Sequence, residues 1–149
     1  MESAPPIIQA VCRGDAVEVK RRLREDPASA HAIVEVTGRS VLMMAAARDL
    51  TEIVTLLLGV PDIAINHADA LGQTLLIVSS FNGHVAIFKL LLGATGIDIN
   101  RTNMKGWTAL MGAAFKGELP IVQLLLAAPG IDITLCNEDG HTARDMAKR

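Results

Sequence analysis

The chain has 149 residues, half of them hydrophobic and a fifth charged, which suits one globular domain with a continuous core and excludes a disordered chain. A net charge of -2 supplies no basic field, so nucleic acid is not expected as a partner.

Residues 7–34, opening IIQAVCRGDAVEVKRRLRED, read as two helices joined by a turn at Arg13-Gly14-Asp15. In that setting the RGD triplet reads as the helix–helix turn rather than an integrin motif. Glu18, Lys20, Arg21, Arg22, Arg24 and Glu25 read as a water-facing end of the molecule, because acids alternate with the bases. The preceding MESAPP has no positive stretch followed by an apolar run, and no apolar run elsewhere approaches a membrane span. Neither export nor membrane insertion is expected. Cys12 and Cys136 then read as reduced thiols of the cytoplasm or nucleus.

From residue 35 the chain repeats. Gly38, Gly72, Gly106 and Gly140 stand 34 residues apart, and so do Leu56-Leu57-Leu58, Leu90-Leu91-Leu92 and Leu124-Leu125-Leu126. Asp49, Gly83 and Gly117 keep the same spacing, as do Ile65, Ile99 and Ile133. Phase-locked markers of this kind predict a solenoid. Its units are 35–69, 70–103 and 104–137, with a partial unit at 138–149. In each unit a hydroxyl at Ser40, Thr74, Thr108 or Thr142 predicts a helix start. The first helix runs through small residues (LMMAAA, LLIVSS, LMGAAF) that let neighbours approach. The second is predicted to bury pairs: Ile53, Val54, Leu57 and Leu58; Ile87, Phe88, Leu91 and Leu92; Ile121, Val122, Leu125 and Leu126. Pro120 fits the first turn of the last of these. VPDIAIN, TGIDIN and PGIDIT are predicted as extended links to the next turn. Tetratricopeptide repeats share the period, but the chain has no tyrosine, and such links have no place in an all-helical hairpin array.

G-x-T-x-L-x-x-A-A-x-x-G-x-x-x-I-V-x-L-L followed by G-I-D-I-N resembles the ankyrin repeat. The resemblance implies an all-α solenoid of helix-turn-helix units joined by β-hairpin-like turns. Residues 7–34 resemble an amino-terminal capping repeat, giving about four repeats plus a partial fifth. The family's T-P-L-H stands here as SVLM, TLLI and TALM. Met43, Ile77 and Met111 therefore place apolar packing where the family has a histidine network.

Nothing points to catalysis or to a cofactor. His31, His67, His84 and His141 have no metal-ligand spacing, and neither cysteine has a near second one. His84 matches the family's helix-start histidine and reads as structural. Asp62, Asp98 and Asp132, each in the segment after a second helix, read as marks of the fold rather than paired acid and base. No phosphate-binding loop or nucleophile elbow is present. Asn100, after Asp98 and Ile99, resembles the context of hydroxylated ankyrin asparagines, or else simply closes its turn.

What remains is binding. The resemblance places the residues beside each repeat glycine and at the end of each first helix on a shared concave face. By register these include Arg39, Arg48, Leu71, Gln73, Phe81, Asn82, Met104, Lys105, Trp107, Phe115, Lys116 and His141. Three of the four aromatic residues, Phe81, Trp107 and the nearby Phe115, fall on this register; Phe88 is the core exception. Either they contact a partner, or the phenylalanines pack between first helices with Trp107 flat above them. Aromatic and arginine side chains are what binding hot spots favour, so contact is the expectation. Arg39, Arg48, Lys105 and Lys116 suit a protein segment that pairs apolar anchors with acidic residues. A monomer is expected. Two other readings stand beside it: a regulatory domain of an enzyme or channel continuing past residue 149, and self-association through the carboxy-terminal end.

Overall fold

The computed structural model describes residues 4–149; Met1, Glu2 and Ser3, which open the segment read for a leader, lie outside the described residues. In chain order come α1 (Pro6–Arg13), α2 (Ala16–Glu25), a 3-10 turn (Pro27–His31), β1 (Ile33–Val34) and β2 (Arg39–Ser40). The repeating part follows as α3 (Val41–Ala47), α4 (Thr51–Leu58), α5 (Leu75–Phe81), α6 (Val85–Leu92), α7 (Ala109–Lys116), α8 (Leu119–Leu126) and α9 (Ala143–Ala147). The first helices α1, α3, α5, α7 and α9 pack side by side in one layer, and α2, α4, α6 and α8 form a second layer behind them. The molecule is an all-α repeat solenoid.

Local chemistry sets each element. Ser40, Thr74 and Thr108 accept hydrogen bonds from the backbone N–H of Met43, Ile77 and Met111, satisfying donors that a helix start leaves free. Thr142 and Asp145 complete a reciprocal capping box on α9. Ala45, Ala46, Ser79, Ser80 and Ala113 are fully buried, so first helices meet with almost no side chain between them. Ser79 and Ser80 donate their hydroxyls to Leu75 and Ile77 carbonyls in their own helix, which removes the penalty of burying them. Asp49, Gly83 and Gly117 turn each first helix into the second with positive φ.

Each unit ends in a turn of one design. Asp69, Asn103 and Asn137 stand 34 residues apart, and the side-chain Oδ1 of each accepts two backbone N–H groups of its own turn. The turn is hairpin-like: β1 pairs with β2, Asp69 N–H donates to the Gln73 carbonyl, and Asn103 N–H to that of Trp107. Successive turns are laced by the N–H groups of Ala70, Met104 and Glu138, which donate to the carbonyls of Thr37, Leu71 and Lys105. Gly72 sits at one such crossing with φ +72°, and a Cβ there would lie 2.8 Å from the Met104 nitrogen.

The links expected to be extended are instead runs of tight turns. Asn66 and Asn100 hold them by reaching into the following unit. Asn66 donates to the Gly96 carbonyl and accepts from Asp98 N–H; Asn100 does the same with Gly130 and Asp132. Asp98 and Asp132 then accept from the N–H two residues on, while Asp62 falls two positions out of their register, at a positive φ matching Gly96 and Gly130. His84 hydrogen-bonds the Ala46 carbonyl of the preceding unit through Nδ1 at 2.8 Å, a structural role.

Burial of the second helices departs from the expected pattern at four positions: Leu58, Leu92 and Val122 are half-buried rather than buried, and Leu126 is exposed. Ile53, Val54, Leu57, Ile87, Phe88, Leu91, Ile121 and Leu125 are buried, but Leu126 is 54% exposed. The stripe on α4 is covered by α6 and that on α6 by α8. At the opposite end Glu18 pairs with Arg21 and Arg22, each at 2.7 Å, and Arg21 also with Glu25 at 2.9 Å. Hydrogen bonds from Arg21 and Arg22 pull the Glu18 carboxyl down to about 2. Two of the four bases of the run, Arg21 and Arg22, are thus paired within α2. Cys12 and Cys136 are both free and exposed.

Candidate functional site

The Met104-Lys105-Gly106-Trp107 turn and the first helices on either side of it enclose a cavity of about 450 Å³. Its floor is Ile77, Val78 and Gly112, small or apolar groups of α5 and α7. Its rim carries Arg39, Gln73, Phe81, Asn82, Asn103, Lys105, Trp107 and Phe115.

The tryptophan is held from its backbone. Asn103 Oδ1 accepts from Trp107 N–H at 3.0 Å, and Asn103 N–H donates to the Trp107 carbonyl at 3.0 Å. The indole then meets Phe115 edge to face, with centroids 5.4 Å apart and planes at 85°. This is a favoured aromatic geometry, worth about 0.5–1.5 kcal/mol beyond area alone. Trp107 is half-buried, while Phe81 and Phe115 are 39% and 44% exposed. The rings therefore neither seal one another nor stack flat: Phe115 supports Trp107 from the side and leaves apolar surface facing solvent.

Charge on this face is unevenly available. Arg39 Nε lies 3.5 Å from Asp69 Oδ2, so it is partly compensated. Lys116 Nζ stands 5.0 Å from the Phe81 ring centroid, a cation–π contact that fixes a positive charge beside an exposed aromatic edge. Lys105 is exposed on the rim.

The structure thus brings together Arg39, Gln73, Phe81, Asn82, Lys105, Trp107 and Phe115, with Lys116 against Phe81. It places the others elsewhere. Arg48 donates through Nη1 to the Val11 carbonyl at 2.8 Å and to that of Cys12, so its guanidinium closes the end of α1. Leu71 and Met104 stand exposed at the turn tips outside the cavity lining. His141 hydrogen-bonds Arg149 through Nε2 in the last turn. Asn100 has both side-chain polar atoms engaged with the next unit. Asn103 was missed by register reasoning built on the glycines; its 34-residue spacing from Asp69 and Asn137 is the signal that finds it.

Among the described residues no group of three or more His, Cys, Asp or Glu side chains could hold a metal ion, and no helix is long and apolar enough to cross a membrane.

A family model for ankyrin repeats in three copies matches residues 7–103 and, in an overlapping match, 42–137. The chain belongs to the ankyrin-repeat family. Ankyrin repeats are generally non-catalytic modules of protein–protein interaction. No curated protein matches the chain. In this ankyrin domain, Met43, Ile77 and Met111 are buried to within a few per cent, so the position of the family's T-P-L-H histidine is apolar core in each full unit.

Proposed function

We propose that this ankyrin domain is a non-catalytic recognition module that binds another protein through the cavity between α5 and α7. The observation that carries this reading is the cavity itself. Three aromatic rings with exposed apolar surface are concentrated at one place, beside Lys105, Lys116 and Arg39. Folding does not require exposed aromatic surface there; hot spots in protein interfaces favour it. The ligand that fits is a partner segment with one bulky apolar side chain for the cavity and flanking carboxylates for the two lysines. Glu138 and Asp139, exposed on the next turn, offer a counter-charge that would set the segment's direction. Cys12 and Cys136 are thiols suited to the reducing cytosol or nucleus, where such a module would work.

The test is affinity capture with the wild type and a Trp107→Ala, Phe115→Ala double variant, after circular dichroism has shown both to be folded. The expected outcome is a partner captured by the wild type and lost by the variant. Trp107→Ala alone is expected to cost about 2 kcal/mol of binding. Unchanged capture by the double variant would move the site off this face.

A further inference from the structure

The turn that holds Trp107 also decides which end of a neighbouring amide faces the α5–α7 cavity. Asn103 Oδ1 is taken by two backbone N–H groups, those of Lys105 at 2.9 Å and Trp107 at 3.0 Å. What Asn103 has left to offer is Nδ2, and it donates to Gln73 Oε1 at 3.3 Å. Gln73 cannot reverse its amide without setting one NH2 group against another. Its Nε2 therefore remains a donor, with no acceptor among the described residues, on the lining of the cavity. The Gln73 backbone is held as firmly: its N–H donates to Asp69 Oδ1 at 2.9 Å, and its carbonyl accepts from Asp69 N–H at 3.0 Å. The other polar hydrogens have the same sense. Trp107 Nε1–H, a donor only, also has no acceptor among the described residues. Lys105 on the rim and Lys116 against Phe81 add charge, and no Asp or Glu lines the cavity. Of the lining side chains only Asn82 is free to turn an oxygen inward.

We infer that Gln73 determines the specificity of this cavity, its Nε2 donating to the free carboxylate of a partner's carboxyl-terminal aromatic residue whose ring fills the cavity. The ring follows from the walls: Trp107, Phe115 and Phe81 offer faces and edges to a fourth aromatic group. The carboxylate follows from the donors and from the two lysines, which favour a charged acceptor over a neutral one. Its position on the ring-bearing residue follows from reach. In an extended segment adjacent side chains point to opposite faces, so a neighbouring acid is carried away from the cavity that takes the ring. What accompanies the ring inward is its own main chain, which ends in a carboxylate only at a chain terminus. Asn103 acts through Gln73 as a positioning residue, and a ligand with an ammonium head would meet donors and positive charge.

This inference rests on the reading of the α5–α7 cavity as the recognition site. The test is a nuclear magnetic resonance titration of the nitrogen-15-labelled full chain, whose single tryptophan gives a single indole N–H peak. The probes are 3-phenylpropionate, 3-phenylpropanamide and phenethylamine, one ring with three heads, at the millimolar concentrations that ligands of this size require. Gln73→Glu keeps an oxygen for Asn103 Nδ2 and turns the free donor into an acceptor, so it is expected to fold, which circular dichroism checks. Asn82→Asp adds the same charge elsewhere on the rim. In the wild type the carboxylate is expected to bind about tenfold more tightly than the amine, with the amide between them. Gln73→Glu is expected to abolish that preference and Asn82→Asp only to weaken it. Equal losses in the two variants would assign the preference to rim charge and overturn the role of Gln73. A peak that moves without favouring the carboxylate would overturn the inference and leave the recognition site standing. A peak unmoved by every probe would count against both.

Discussion

α6 and α8 carry nearly the same apolar pattern, VAIFKLLL and LPIVQLLL, and meet different fates. α6 is sealed between α4 and α8, with Ile87, Phe88 and Leu91 wholly buried. α8 is sealed on one side only and leaves Leu119 and Leu126 in water. In a solenoid, burial is a property of the neighbour as much as of the residue. A unit's stability is its own plus that of the interfaces it makes.

That difference is sharpest at the register pair Phe88 and Val122. Phe88→Ala is expected to cost about 3–5 kcal/mol, because a fully buried ring leaves a cavity that both adjoining helices line. Val122→Ala, on the open side, is expected to cost about 1 kcal/mol or less. Urea unfolding of the two variants checks this, and similar losses would mean that α8 is covered in solution.

A smaller contrast compares two turns. Gly72 and Gly140 both have positive φ, so alanine strains the backbone at either place. Only at Gly72 would the new Cβ also press on the next turn, 2.8 Å from the Met104 nitrogen; at Gly140 nothing lies within 4 Å. Gly72→Ala is therefore expected to lower the melting temperature more than Gly140→Ala, by about 1 kcal/mol or more of stability. Equal losses would show that the inter-turn crossing contributes little.

The ends should also differ from the middle in acid. Glu18 is lowered to about 2 by hydrogen bonds from Arg21 and Arg22; Asp145 is lowered by the Thr142 N–H and hydroxyl, and Asp132 by Thr134. Folded-state values below the unfolded ones mean stabilisation that is complete above the ordinary carboxylate range. It is lost as pH falls through that range towards about 2 for Glu18. Melting temperature is expected to fall over this window, and Glu18→Gln to flatten part of the slope. The α2 pairs lie at the surface with Glu18 and Arg22 half-buried and Arg21 exposed, so added salt should shrink part of that contribution. A slope identical in Glu18→Gln would remove the ion network from the explanation.

Much of this was legible because each unit states its own rules. The caps at Ser40, Thr74 and Thr108, the core place of Phe88 and the position of Trp107 beside its glycine all follow from a 34-residue register. What the sequence could not show depends on partners across units. Leu126 reads like Leu92, but it is 54% exposed where Leu92 is half-buried. Arg48 reads as a face residue, but the Val11 and Cys12 carbonyls at the end of α1 lie within its reach. The edge-to-face meeting of Trp107 and Phe115 required the turn and the helix in three dimensions. So did the choice of Lys105 and Lys116 over Arg48 as the charges beside the cavity.

Trp107 is the single tryptophan of the chain, and it is its own reporter. The most direct measurement is acrylamide quenching of its fluorescence, before and after addition of a purified partner captured by the wild type. The expected result is a clear fall in quenching with a blue shift of emission, because the partner's apolar side chain would cover the exposed part of the indole. Saturating binding with quenching and emission unchanged would contradict the assignment of the α5–α7 face as the site of recognition.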